Sequence, residues 1–125
     1  MTQETAVILF AHGSRDERWR APFEAVRAEV ERRHGGRVVL AFLELMSPSL
    51  AEAAALLAAE GVTRAVIVPL FLGVGRHLRE DLPAMAETAA RETGLTLVAA
   101  KSAGESPAIV EALASYAIGA AAVDA

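Results

Sequence analysis

Ala6-Val7-Ile8-Leu9-Phe10-Ala11-His12-Gly13-Ser14-Arg15 is the stretch on which the fold turns. It opens as a short run of large and β-branched apolar residues, too brief for a helix. It breaks at a glycine-bearing polar exit, the pattern of a strand buried on both faces and followed by a loop. The same pattern recurs at Val38–Leu43, Ala65–Phe71 and Leu95–Ala99, and between these runs lie alanine-rich segments with helical spacing. Alternation of this kind predicts βα units around a parallel sheet, and the near-continuous apolarity of the runs predicts that both sheet faces are covered.

The helices carry start and stop signals. Pro22 suits a first helical turn, with Phe23, Val26 and Val30 as the buried stripe and Gly35-Gly36 as the stop. Ser49 and Glu52 have capping-box spacing ahead of Leu50, Ala53, Ala54, Leu57 and Ala58, a stripe that ends at Gly61. Leu78, Leu82, Met85 and Ala89 mark a third helix before Gly94, divided by Pro83 into a short turn and a main helix. Ser106-Pro107 opens a fourth with Ile109, Val110, Leu113 and Ala117 as its buried face, and residues 120–125 are expected to be a frayed tail. The expected architecture is a three-layer, flavodoxin-like α/β domain over residues 1–125, a four-stranded parallel sheet in order 2-1-3-4 flanked by helices.

Composition narrows the function classes. The chain has 125 residues, 54% of them hydrophobic, with 28 alanines. At roughly 100–200 residues per domain this is one domain. No apolar run reaches the ~18–20 residues of a bilayer span, and Met1 to Glu4 lack a basic leader, so a cytoplasmic protein without membrane partners is expected. Cysteine is absent, which removes disulfides, thiolate zinc and iron–sulfur clusters and leaves any metal to His and carboxylate. The net charge is −4 and the positive side chains are eleven Arg and one Lys, a balance that argues against nucleic acid as a partner.

Parallel strands end on one side of the sheet, where ligand sites of open α/β sheets lie. His12, Glu44 and His77 follow the first, second and third strands. With strand one central, the three can approach one coordination shell, a two-imidazole, one-carboxylate set suited to iron, cobalt, nickel or zinc. Each has a bland alternative: His12 as a loop hydrogen-bonding group, His77 as a surface residue at a helix start, Glu44 as an ion-pair partner. His34, in the last turn of the first helix, reads as structural. Arg15, Arg18, Arg20, Arg76 and Arg79 cluster near the two histidines, interleaved with acidic residues. They form either a solvated mixed-charge face or a grip for a substrate with several carboxylates. Gly73-x-Gly75 lacks the third glycine of a dinucleotide fingerprint, and no phosphate-cradling G-x-x-x-x-G-K-[ST] occurs, so no nucleotide cofactor and no ATP are expected.

Three ordered motifs, Ile8 to Arg15, then Ala41 to Leu45 leading to Pro48-Ser49-Leu50, then Val68 to Leu72 with Gly75-Arg76-His77 and Asp81-Leu82-Pro83, resemble the CbiX/SirB class of tetrapyrrole chelatases. The resemblance implies ATP-independent insertion of a divalent metal, cobalt, nickel or iron, into sirohydrochlorin for cobalamin, sirohaem or a related tetrapyrrole. It carries the metal-site roles onto His12, Glu44 and His77, with His12 and His77 also catalytic. It implies a single-unit form assembling as a homodimer. From position, Leu45, Met46 and Leu72 are expected to face the macrocycle, and Arg15 and Arg76 to meet its peripheral carboxylates. The competing readings are a non-enzymatic metal or tetrapyrrole carrier, and a mannose-type phosphotransferase domain using His12.

Overall fold

The computed structural model describes residues 5–123. Chain order is β1 (Ala6–Ala11), a 3-10 turn (Glu17–Arg20), α1 (Ala21–Arg33), β2 (Val38–Phe42), α2 (Leu50–Ala59), β3 (Arg64–Pro69), α3 (Arg76–Thr93), β4 (Thr96–Ala99), a second 3-10 turn (Ala103–Glu105) and α4 (Pro107–Val123). The four strands form one sheet in order β2-β1-β3-β4, all pairs parallel, as the βα alternation predicts. β1 is central because it can pair on both sides, Ile8 with Val39 on one edge and Ile67 on the other.

The two faces of the sheet differ. On one, Ile8, Phe10, Ala41, Ala65 and Ile67 meet Leu50, Ala53, Leu57, Leu82, Ala86 and Ala89 from α2 and α3 in a continuous buried cluster. Burial of each large side chain there contributes about 1.5–3 kcal/mol. The opposite face holds a smaller cluster, Leu9, Ala11, Val38, Leu40 and Phe42, against which Trp19, Phe23 and Val30 are only partly buried. Val26, expected in the buried stripe of α1, is exposed.

α2 is capped as its sequence predicts: the Glu52 N–H donates to the Ser49 hydroxyl (3.1 Å) and the Ser49 N–H to the Glu52 carboxylate (2.8 Å). α3 corrects an expectation, for Pro83 does not divide it. Pro83 is on the exposed side while Leu82, Ala86 and Ala89 are buried. The one backbone bond that proline removes therefore faces water, and the packed stripe carries the helix through.

The larger correction concerns α4. None of its residues is buried, so Ile109, Val110, Leu113 and Ala117 do not form a packed face. Consequently the second face of the sheet is not covered over β3 and β4, where Val98 is 43% exposed. The helix persists to Val123, against the expected fraying from residue 120. Residues 124–125, and the stretch from Met1 to Glu4 read for a leader, lie outside the described residues.

Candidate functional site

The site is built by backbone pairing that outlasts the strands. Past the end of β1 and β2, the Leu43 N–H donates to the Ala11 carbonyl (2.9 Å) and the Glu44 N–H to the His12 carbonyl (3.1 Å). The two chains thus stay side by side for two more residues, and the His12 and Glu44 side chains leave the sheet edge as neighbours. His12 Nε2 lies 3.2 Å from Glu44 Oε1, with the side chains 56% and 54% exposed.

Gly13 makes this approach possible. Its φ is +102°, and a β-carbon there would lie 1.8 Å from the Glu44 carbonyl oxygen, so no other residue fits without moving the loop. Beyond Glu44 the chain turns at once. Leu45 has φ +67° and the Met46 N–H donates to the Glu44 carbonyl (2.8 Å), the geometry of a tight γ-turn. Such a backbone costs about 1–3 kcal/mol in a residue with a side chain, and strain of this kind concentrates at functional sites. Its effect here is to leave Leu45 exposed next to Glu44; Leu72, after β3, is exposed as well.

Phe71 supplies the floor. Its ring stands edge-on to His12, centroids 6.2 Å apart, and edge-on to Phe10 at 5.9 Å, tying the imidazole to the main core. The sequence reading passed over Phe71 in this role, although it sits at the end of the β3 apolar run, as His12 does after β1. Behind it a cavity of about 180 Å³ opens between the start of α3 and the exit of β4, bordered by Leu78, Arg79, Leu82 and Lys101.

Not all the sequence candidates converge. His77 is the second residue of α3 and exposed, and among the described residues no group of three His or carboxylate side chains is close enough to enclose one ion. Arg15 is exposed. Arg76 is exposed and paired with Glu80 at 3.3 Å. Met46 is half-buried against the smaller core cluster, so Leu45 and Leu72 are the more accessible apolar side chains. His34, read as structural, places Nε2 2.6 Å from the Thr5 carbonyl oxygen.

What two neighbouring donors can do follows from their separation. With metal–ligand bonds of about 2.1 Å, a nitrogen and an oxygen 3.2 Å apart subtend about 100° at a shared ion, between octahedral and tetrahedral values. An imidazole and a carboxylate at a solvent-open edge, with no thiolate and no enclosing shell, can capture a divalent ion and also let it go.

Comparison with known proteins shows the family. The CbiX family model matches residues 6–118. A protein of Sulfurisphaera tokodaii described as a sirohydrochlorin cobaltochelatase is 35% identical over 81 residues, 65% of this chain and 67% of its own. The matched stretch is 57% of the length of a second curated relative with the same description. A crystal structure from Marinobacter aquaeolei VT8, assigned to cobalamin (vitamin B12) biosynthesis as CbiX, has a TM-score of 0.84 at 36% identity, covering 92% of this chain and 95% of that one. The sirohydrochlorin chelatase SirB of Bacillus subtilis subspecies spizizenii, crystallised with cobalt, has the same fold (TM-score 0.71, 22% identity), with 81% of this chain matching 44% of that one.

Proposed function

The chain belongs to the CbiX family, and from that premise we propose that it inserts a divalent metal ion, cobalt, nickel or iron, into sirohydrochlorin without ATP, as one chelatase domain over residues 1–125, in the cytoplasm. The observation that carries the reading is the 3.2 Å pairing of His12 Nε2 with Glu44 Oε1 at the open carboxyl edge of the sheet. The names of the curated relatives supply the substrate class.

In this reading the metal is a substrate, held first by His12 and Glu44. His77 joins as third ligand by movement of the loop before α3, where Gly73 and Gly75 have open space around their α-carbons. The macrocycle must lose two pyrrole protons as the ion enters. A neutral imidazole can accept one once it yields its place on the metal, and Glu44 can take the second. Loose ligation at an exposed edge favours transfer over retention, which a cysteine site would not. Leu45 and Leu72 offer apolar surface to the ring. In this reading Arg15 and Arg76, with Arg79 and Lys101 at the neighbouring cavity, meet its peripheral carboxylates, and Met46 faces the ring.

A homodimer belongs to this proposal. The chain matches less than half of SirB, so two copies would supply the two units for which that longer chain has room.

The test is anaerobic incubation of the protein with sirohydrochlorin and cobalt, nickel or iron at equal concentration, followed by absorbance. Multiple turnovers with at least one metal are expected. Stoichiometric binding without turnover would make the protein a carrier, and phosphoryl transfer to His12 a phosphotransferase; either overturns the chelatase reading.

A further inference from the structure

Seven of the eleven arginines are ion-paired with Asp or Glu side chains. Arg79 and the single lysine, Lys101, are not so paired with any of the described residues, and both border the cavity of about 180 Å³ between the start of α3 and the exit of β4. Phe71, Val74, Leu78 and Leu82 line the same cavity. One acidic residue, Glu105, also borders it, but its carboxylate accepts the Ser102 N–H (3.2 Å) and closes the capping box of the turn Ala103–Glu105.

Unpaired cations beside an apolar wall suit one kind of guest, a carboxylate on a short alkyl arm, with the charge at the guanidinium and ammonium and the chain against the wall. An inorganic anion has nothing to offer that wall. The volume sets the size: pockets for a drug-sized ligand measure about 300–1,000 Å³, so this one takes an arm and not a ring.

Phe71 faces both this cavity and the metal site. It is 7% exposed, lines the cavity and stands edge-on to His12 with ring centroids 6.2 Å apart. Its backbone is held from the cavity side. The Gly104 N–H donates to the Phe71 carbonyl (2.9 Å), and a β-carbon on Gly104 would lie 1.7 Å from the Leu72 carbonyl oxygen. The turn Ala103–Glu105 is thereby pinned at Gly104 to the residues that follow β3. The ring is less constrained than the backbone, because the cavity is a gap in its packing.

We propose that Phe71 couples the two sites: an alkyl carboxylate seated at Arg79 and Lys101 packs against the Phe71 ring, steadies it, and so holds the His12 imidazole where it shares a metal ion with Glu44. The inference rests on the metal-site reading of the proposed function and adds a condition to it. Seating of the carboxylate and capture of the ion tighten one another, since coupling between two sites is reciprocal. Phe71 is then a positioning residue that acts through His12. The carboxylate is an arm of the macrocycle or a free short-chain acid, and the chemistry at the cavity is the same for both.

Butanoate serves as the probe and butan-1-ol as its neutral control, at fixed pH and ionic strength. Butanoate is expected to bind the parent saturably at millimolar concentration, read from the amide NMR signals of Ala100 and Ser102, and butanol is not. It should also move the ring-proton signals of His12, which His12→Ala identifies and which sense the Phe71 ring. Calorimetry should show cobalt binding about fivefold tighter or more with butanoate saturating. In Arg79→Gln, Lys101→Gln, which meets the same free butanoate and cobalt, that ratio should fall to unity. In Phe71→Leu butanoate should still bind while the ratio falls to unity, and Phe71→Tyr should restore it. Absence of saturable binding, an equal response to butanol, His12 signals and cobalt affinity that ignore butanoate, or a ratio that survives Phe71→Leu each overturns the coupling. The parent measurements decide by themselves if Phe71→Leu does not fold. Sirohydrochlorin that displaces butanoate assigns the cavity to an arm of the macrocycle, and butanoate retained beside it assigns the cavity to a free acid. These readouts need no turnover, so coupling without metal insertion strikes the chelatase reading alone, and insertion by a parent whose cobalt affinity ignores butanoate strikes the coupling alone. A parent that binds no cobalt overturns both.

Discussion

The α-carbon of Gly13 packs so closely on the Glu44 carbonyl that a β-carbon would sit 1.8 Å from the oxygen. This contact sets the distance between the chain that carries His12 and the chain that carries Glu44. Gly13→Ala should therefore act on both stability and activity. The positive φ and the clash together are expected to cost about 1–3 kcal/mol in urea unfolding, and the displaced loop should remove most metal insertion.

His12→Ala is expected to lower insertion by at least about 100-fold while leaving the fold intact, since the side chain is more than half exposed and a proton-transfer group contributes about 10²–10⁴. Glu44→Gln keeps shape and removes charge. It should weaken cobalt binding, read by calorimetry, more than tetrapyrrole binding, read by fluorescence quenching. Equal loss of both would contradict its role as a metal ligand.

The three histidines should separate cleanly. His77→Ala is expected to reduce insertion strongly although His77 forms no three-ligand group with His12 and Glu44 in the structure, and the double variant with His12→Ala should be inactive with cobalt. His34→Ala should keep insertion and lose about 1 kcal/mol of stability with the bond to the Thr5 carbonyl. Insertion near the parent rate in the double variant would remove the site from this edge of the sheet.

Acid stability should trace to α1. Arg32 and Arg33 hold the Glu29 carboxyl down at about 2, from an ordinary 4.5, and Arg27 lowers Glu24 in the same direction. A carboxyl whose folded value is depressed adds stability that is complete above its unfolded value and is lost as pH falls toward the folded one. Urea unfolding of Glu29→Gln is thus expected to show a shallower loss of stability than the parent between about pH 5 and pH 2, and added salt should shrink the parent's loss toward it because the groups are exposed.

Local chemistry made much of this molecule readable in one dimension. The four strands, their parallel pairing and the Ser49–Glu52 cap follow from short-range patterns, because apolar runs too short for helices alternate with helical segments and a helix end demands its own donors and acceptors. His12 and Glu44 were legible as neighbours once strand one was taken as central, because the exits of adjacent parallel strands share an edge. His34 was legible as structural from its place in the last helical turn.

Other features were decided only in three dimensions. The γ-turn at Leu45, the Phe71 edge against His12 and the half-burial of Met46 depend on contacts between segments tens of residues apart. So does the continuity of α3 through Pro83, which rests on which side of the helix met the core. α4 shows the limit most plainly. Its sequence demands burial and says nothing about where: apolar composition sets that a surface must leave water, whereas the pinned turn at Gly104 sets whether its own chain can provide the place.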